Sequence, residues 1–210
     1  MTAPVVLAHH AAARWWRCWR LAAIIWLGLV LTACATPHML EEDTAAFQRS
    51  GRFSITVTEL SGETEAVQGG FSWSDSGRHL RLDLSDPMGS TLARIMVDAR
   101  GATLHRSDGT QERAAHPDAL VEKVVGSAIP VADLRFWLQG QTAEADTDDK
   151  AGTANQTRQD GDGHLVSFVQ RGWKVELSRY DEKGPTLLRM ARSDAGRRIQ
   201  VRLAISSRAS

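Results

Sequence analysis

Cysteine is scarce in this chain. It has two, Cys18 and Cys34, both within the first 34 residues. Whatever folds beyond them has no disulfide, no thiolate metal site and no cysteine nucleophile. Histidine is as uninformative: the seven are scattered, and no H-E-x-x-H, G-x-S-x-G or P-loop spacing occurs. These absences speak against a hydrolase. Excess charge is missing too, with 25 basic and 25 acidic residues, so there is no electrostatic footprint of a nucleic-acid binder. Arginines recur at Arg78, Arg81, Arg94 and Arg197–Arg198, which leaves local basic patches open. Asp160-Gly-Asp162-Gly-His164 only faintly resembles a calcium loop. Leu165 stands where an EF-hand needs glycine, and no glutamate follows at the twelfth position. Asp146-Thr-Asp148-Asp149 fails in the same way, so both read as solvated acidic turns.

What is present begins at the amino terminus. Arg14, Arg17 and Arg20 precede the apolar run Leu21–Val30, and no acidic residue occurs before Glu41. A basic region, a short apolar region and a small-residue cleavage site describe a bacterial secretory signal. Leu31-Thr32-Ala33-Cys34 resembles a lipobox, which implies a lipid on the Cys34 thiol and an acylated new amino terminus. The uncharged stretch Leu21–Thr36 is shorter than the roughly 20 residues a spanning helix needs, which disfavours an uncleaved anchor. Ala35 follows Cys34, rather than the aspartate that marks inner-membrane retention in enteric bacteria, so the expected address is the periplasmic side of the outer membrane. Removing residues 1–33 leaves 22 basic against 25 acidic residues, a formal charge of −3.

The expected organisation is a signal peptide at 1–33, a lipid-anchored tether at 34–46, and one domain at 47–210, long enough to bury a single core. Glu41–Arg49 has the composition to extend the tether as a helix, with Phe47 as its one strong apolar contact. From Gly51 the pattern has period two: Phe53, Ile55 and Val57 alternate with polar residues, and Leu80, Leu82 and Leu84 repeat the theme. Further strands are expected at Glu65–Trp73, Thr91–Val97, Ala102–Arg106, Leu165–Gln170, Trp173–Arg179, Thr186–Ala191 and Arg198–Ile205. Pro117 suits a first helical position, with Leu120, Val121, Val124 and Val125 on one face before Gly126. Pro130 opens a second helix carrying Val131, Leu134, Trp137 and Leu138 before Gly140. Residues 141–163 are polar and lack large apolar groups, which predicts a loop or disordered insert. The order describes a mainly β (α+β) domain: an antiparallel sheet with helices gathered on one side.

Aromatic and turn residues carry what chemistry there is. Trp73, Trp137 and Trp173 lie on a strand, on the second helix and at the start of a late strand. Ordinary core packing and the lining of an apolar cavity are both open for them. Asp86-Pro87-Met88-Gly89 fits a type I turn, with acid, proline and glycine at their favoured positions. Met88 then sits at the apex, either folded back onto the sheet or pointing into water.

Gly70-Phe-Ser-Trp73, the run from Leu80 through Asp86-Pro-Met-Gly89 to Leu92, and Gly126-Ser-Ala-Ile-Pro-Val-Ala-Asp-Leu-Arg-Phe-Trp-Leu-Gln-Gly140 together resemble the LolB family of outer-membrane lipoprotein receptors. Trp173-Lys-Val, Tyr180-Asp181 and Gly196-Arg-Arg-Ile-Gln-Val201 extend the match in order. The resemblance implies a half-open antiparallel β-barrel with a helical lid over an apolar cavity. It implies a non-enzymatic receptor, without a cofactor, that accepts lipoproteins from the soluble periplasmic carrier LolA and inserts their acyl chains into the outer membrane. By position, Trp73, Trp137 and Trp173 match the family's cavity tryptophans. Asp86, Pro87, Met88 and Gly89 match a protruding membrane-insertion loop, with Met88 at its usually leucine tip; methionine keeps that tip apolar and flexible. The expected partners are LolA, acylated lipoproteins and outer-membrane lipid, with the chain acting as a monomer. The soluble carrier shares the fold but lacks a lipobox, so Cys34 discriminates against it. A structural or assembly lipoprotein that binds protein partners through its strands is the alternative, and it predicts a filled core.

Overall fold

The computed structural model describes residues 47–144, 152–194 and 196–206. The signal, Cys34 and the tether lie outside the described residues. Eleven strands and two helices follow one another: β1 (Phe47–Thr58), β2 (Thr64–Asp75), β3 (Leu80–Ser85), β4 (Thr91–Asp98), β5 (Gly101–Arg106), β6 (Gln111–Ala114), α1 (Pro117–Val125), α2 (Val131–Trp137), β7 (Asn155–Gln159), β8 (Leu165–Gln170), β9 (Trp173–Asp181), β10 (Gly184–Asp194) and β11 (Arg197–Ile205). They form one antiparallel sheet in the order β6-β5-β4-β3-β2-β1-β11-β10-β9-β8-β7. Each neighbour but one follows in sequence, as short hairpins require. The exception is β1 with β11, which joins the two ends of the domain. β6 and β7 stay at the margins, so the sheet is open.

Alternation sets the sheet's two faces. Phe53, Ile55 and Val57 on β1 stand beside Leu203, Val201 and Ile199 on β11, and all six are buried. On the other flank, Leu80, Leu82 and Leu84 of β3 face the same way beside Trp73 and Phe71 of β2. Residues between them point outward and are polar, as one buried face demands. The sheet curls around that face. Arg49 on β1 and Asp181 on β9 lie three strands apart, about 14 Å along a flat sheet, yet they form a two-pronged ion pair with both N–O distances at 2.8 Å.

The helices enter between β6 and β7. α1 begins at Pro117, where a missing N–H costs nothing, and ends at Gly126, whose φ of +75° allows its N–H to reach the Glu122 carbonyl. Its buried residues Leu120, Val121 and Val125 face the sheet, and the helix packs on β4, β5 and β6. α2 buries Val131, Leu134 and Trp137 in the same core.

Three sequence expectations need correction. Residues Phe47–Arg49 belong to β1 and not to a helical tether, and Arg49 is buried in its ion pair. The segment 141–163 is not a featureless insert, since Asn155–Gln159 pair with β8 as an edge strand. All five of its residues are exposed, so backbone hydrogen bonds hold it and no apolar alternation marks it. β6 escaped notice for a similar reason: Gln111–Ala114 is a short polar edge. The recurrent arginines make no basic patch either: Arg81 and Arg94 both bond Asp83, and Arg197 bonds Glu59.

The Arg49 bonds, partly offset by burial, hold the Asp181 carboxyl below the usual carboxylate range. A depressed carboxyl stabilises the fold above its unfolded value and loses that contribution as pH falls through its folded one. Replacing Asp181 by Asn should therefore cost about 2 kcal/mol at pH 7, measured by denaturant melts. The gap from wild type should close as pH drops below 3.8.

Candidate functional site

Between the curled sheet and the helices lies a gap with a wholly apolar lining. The sheet supplies Phe53 and Ile55 from β1, Phe71 and Trp73 from β2, Leu82 and Leu84 from β3, and Val201 and Leu203 from β11. Val121 and Val125 of α1, Ile129 of the connection, and Val131, Leu134 and Leu138 of α2 and its end form the roof. The volume is about 50 Å³, far below the roughly 300 Å³ at which ligand pockets begin. The chamber is shut: its apolar walls have closed on each other, as they must in water when nothing fills them.

The two roof helices are held differently. α2 is tied to the sheet by buried polar contacts. Arg135 pairs at 2.6 Å with Asp75, itself buried at the end of β2, and the buried Asp133 pairs with Arg171 at 3.4 Å. Trp137 donates its indole N–H to Gln170 at 2.9 Å and sets its ring edge against Phe168. Gln170 is fully buried and also bonds the Ala143 N–H and the Ala143 and Gly152 carbonyls. α1 has no such fastening. Its polar ties are a surface pairing of Lys123 with Glu112, a long contact of Arg106 to the Lys123 carbonyl, and Asp118 accepting the Val131 N–H at 2.9 Å. Exposed pairs of this kind contribute little. The connection from Gly126 to Pro130 is short, and Ser127 within it is buried with no partner for its hydroxyl.

The three tryptophans are all buried, but they are not equivalent. Trp73 lines the gap, and its indole N–H has no hydrogen-bond partner. Trp137 and Trp173 are packed in the core outside the lining of the closed gap. The interior is also polar at one end. Arg49–Asp181 and Asp75–Arg135 sit where β1 begins and where β2 and β9 end. Towards the other end the inward residues are Val57, Leu84 and Ile199.

That apolar end carries the β3–β4 hairpin. The Gly89 N–H reaches the Asp86 carbonyl at 3.0 Å, and the Asp86 carboxylate accepts the Ser90 N–H at 2.9 Å. Gly89 has φ of +97°, a conformation that side chains disfavour. This rigid turn holds Met88 at 92% exposure, so it does not fold back onto the sheet. Asp160, Asp162 and His164 form a turn as well: the Asp160 carboxylate accepts the N–H groups of Asp162 and His164.

Asp118, Asp75, Arg49 and Gln170 escaped sequence reading. A lone polar residue in an apolar pattern gives no sign of its distant partner, although Asp118 at the start of a helix opened by proline is a mild one.

An open antiparallel sheet curled around a closed apolar chamber, with one fixed and one loosely held roof helix, defines a lidded apolar-ligand protein. The family model described as outer membrane lipoprotein LolB matches residues 45–207, and the chain belongs to the LolB family. It is 48% identical over 192 residues to the outer-membrane lipoprotein LolB of Bordetella petrii, covering 90% of this chain and 94% of that one. To the LolB proteins of Bordetella parapertussis and Cupriavidus necator it is 41% and 35% identical, covering 95% and 90% of this chain and 96% and 97% of theirs. Among solved structures, a LolA superfamily protein from Nitrosomonas europaea aligns with a TM-score of 0.40 at 11% identity, covering 80% of this chain and 90% of that one.

Burial raises the Asp118 carboxyl above its usual value, against the Val131 and Ala132 N–H groups that favour its charge. Its ionised form therefore disfavours the closed fold above the raised value. Asp118→Asn keeps the acceptor for Val131 and removes the charge. It should raise the melting temperature at pH 7, and the gain should vanish as pH falls to 3.8 and below. An equal gain at pH 3 and pH 7 would contradict this.

Proposed function

We propose that this LolB-family protein takes acylated lipoproteins from the soluble periplasmic carrier LolA and passes their acyl chains into the outer membrane. In this reading the lipid on Cys34 holds it on the periplasmic face, and it works as a monomer without enzymatic turnover. The observation that carries the reading is the closed, wholly apolar gap beneath a loosely fastened helix.

The physics of the cargo demands such a device. At about 0.8 kcal/mol per methylene, a sixteen-carbon chain exposed to water costs roughly 12 kcal/mol. Opening α1 would uncover Leu120, Val121 and Val125, at most about 5–9 kcal/mol. Entry of one chain therefore more than offsets the lid. The unpartnered Ser127 hydroxyl lowers the cost further if opening hydrates it. Trp73 meets the chain first, and Trp137 and Trp173 form the wall behind as the chamber widens. Met88, on its rigid turn at the apolar end, enters the lipid surface and brings the mouth of the chamber against it.

A nearly filled core is also what a structural lipoprotein that binds protein partners would have, so the test must involve transfer. Lipidated protein incubated with lipoprotein-loaded carrier should acquire the lipoprotein without ATP. No transfer overturns the reading. Met88→Glu should still acquire the cargo but deliver it to liposomes at least tenfold more slowly. Normal delivery by that variant would remove the loop from the mechanism.

A further inference from the structure

The large apolar side chains that remain exposed among the described residues are Leu60, Val67, Met88, Leu92 and Met96. Their placement is uneven. The strand registers put the β1–β2, β3–β4, β5–β6, β8–β9 and β10–β11 turns at one end of the sheet, and the β2–β3, β4–β5, β7–β8 and β9–β10 turns at the other. Leu60 is in the β1–β2 turn at 86% exposure and Met88 in the β3–β4 turn at 92%. Leu92 and Val67 lie within four residues of the same ends of their strands. The turns at the far end carry Ser76-Gly-Arg-His79, Ala99-Arg100, Asp160 to His164 and Glu182-Lys183, and none of the exposed apolar residues.

We infer that Leu60 is a second lipid contact, so that the protein meets the bilayer through two apolar hairpin tips on one end of the sheet. The inference shares its lipid-surface premise with the reading of Met88, but it concerns a residue and a hairpin outside that loop. A bilayer is the occupant that fits. The two tips belong to different hairpins with β2 between them, and each side chain stands clear of its turn. Separate apolar fingers bury well in a medium that flows around them, whereas a folded partner would need two matching pits. Leu60 lies over Gly196 in the neighbouring turn, flanked by the Glu59–Arg197 pair, a balanced charge suited to a zwitterionic headgroup layer. Chain length permits the arrangement. β1 starts at the far end, and residues 34–46 precede it. At 3.3–3.6 Å per residue they reach about 45 Å, against about 40 Å for the length of β1. An anchor at Cys34 can therefore share a bilayer with the tips.

Because Cys18 leaves with the signal and Cys34 is lipidated in this reading, Leu60→Cys, Met88→Cys and Arg100→Cys would each carry one free thiol. Each lipidated variant is labelled with an environment-sensitive fluorophore and reconstituted into phosphatidylethanolamine–phosphatidylglycerol vesicles. Labels at 60 and 88 should shift to the blue and be quenched by brominated acyl chains, while the label at 100 stays aqueous. An aqueous signal at 60 with a shifted one at 88 overturns the second contact and leaves the loop reading intact. Aqueous signals at both overturn both, and a shift at 100 overturns end-on contact. Leu60→Glu, with an unchanged melting temperature, should lower cargo delivery about tenfold without lowering cargo acquisition; unchanged delivery counts against the inference.

Discussion

A concave apolar sheet face in water must be covered at all times, whether by the protein's own side chains or by someone else's. The rest of this structure is arranged around that constraint. Eight inward residues from β1, β2, β3 and β11 make the floor, and helix residues spaced three and four apart make the roof. Empty, the two close to about 50 Å³. The surface that holds the resting domain together is the same surface that a lipid chain would occupy. Folding and binding therefore draw on one apolar interface, and neither needs a separate site.

The polar contacts decide which part can yield. Buried partners such as Asp75–Arg135 and Gln170–Trp137 are costly to separate, because each leaves an unsatisfied group behind. They fix α2. The Glu112–Lys123 pairing on α1 is exposed and replaceable by water. Buried ion pairs also make one end of the interior polar, which leaves the end bearing Met88 as the apolar exit. In the proposed function, a chain that arrives from another apolar cavity gains little from burial alone. The direction of transfer then depends on which protein has the less costly lid to open.

Much of this was legible in the sequence because it rests on periodicity. Nine strands show as alternation or short apolar runs, and both helices show as a proline, an apolar face and a closing glycine. The Asp86–Gly89 turn followed from residue types at four positions. The resemblance to the LolB family, carried by five ordered motifs, agrees with the family match over residues 45–207. What periodicity could not supply were the edge strands Gln111–Ala114 and Asn155–Gln159, which bury no side-chain face. Nor could it supply pairings such as Arg49 with Asp181, 132 positions apart. The state of the lid was also hidden, because the same apolar residues line an open chamber and a shut one.

The central claim is that α1 lifts when acyl chains enter while α2 stays in place. Paired spin labels measure this directly, one at Glu122 on α1 or at Ala132 on α2, the other at Arg202 on the outer face of β11, with and without bound lipoprotein. The account predicts that the Glu122–Arg202 distance lengthens on cargo binding and the Ala132–Arg202 distance does not. Bound cargo with both distances unchanged would contradict it.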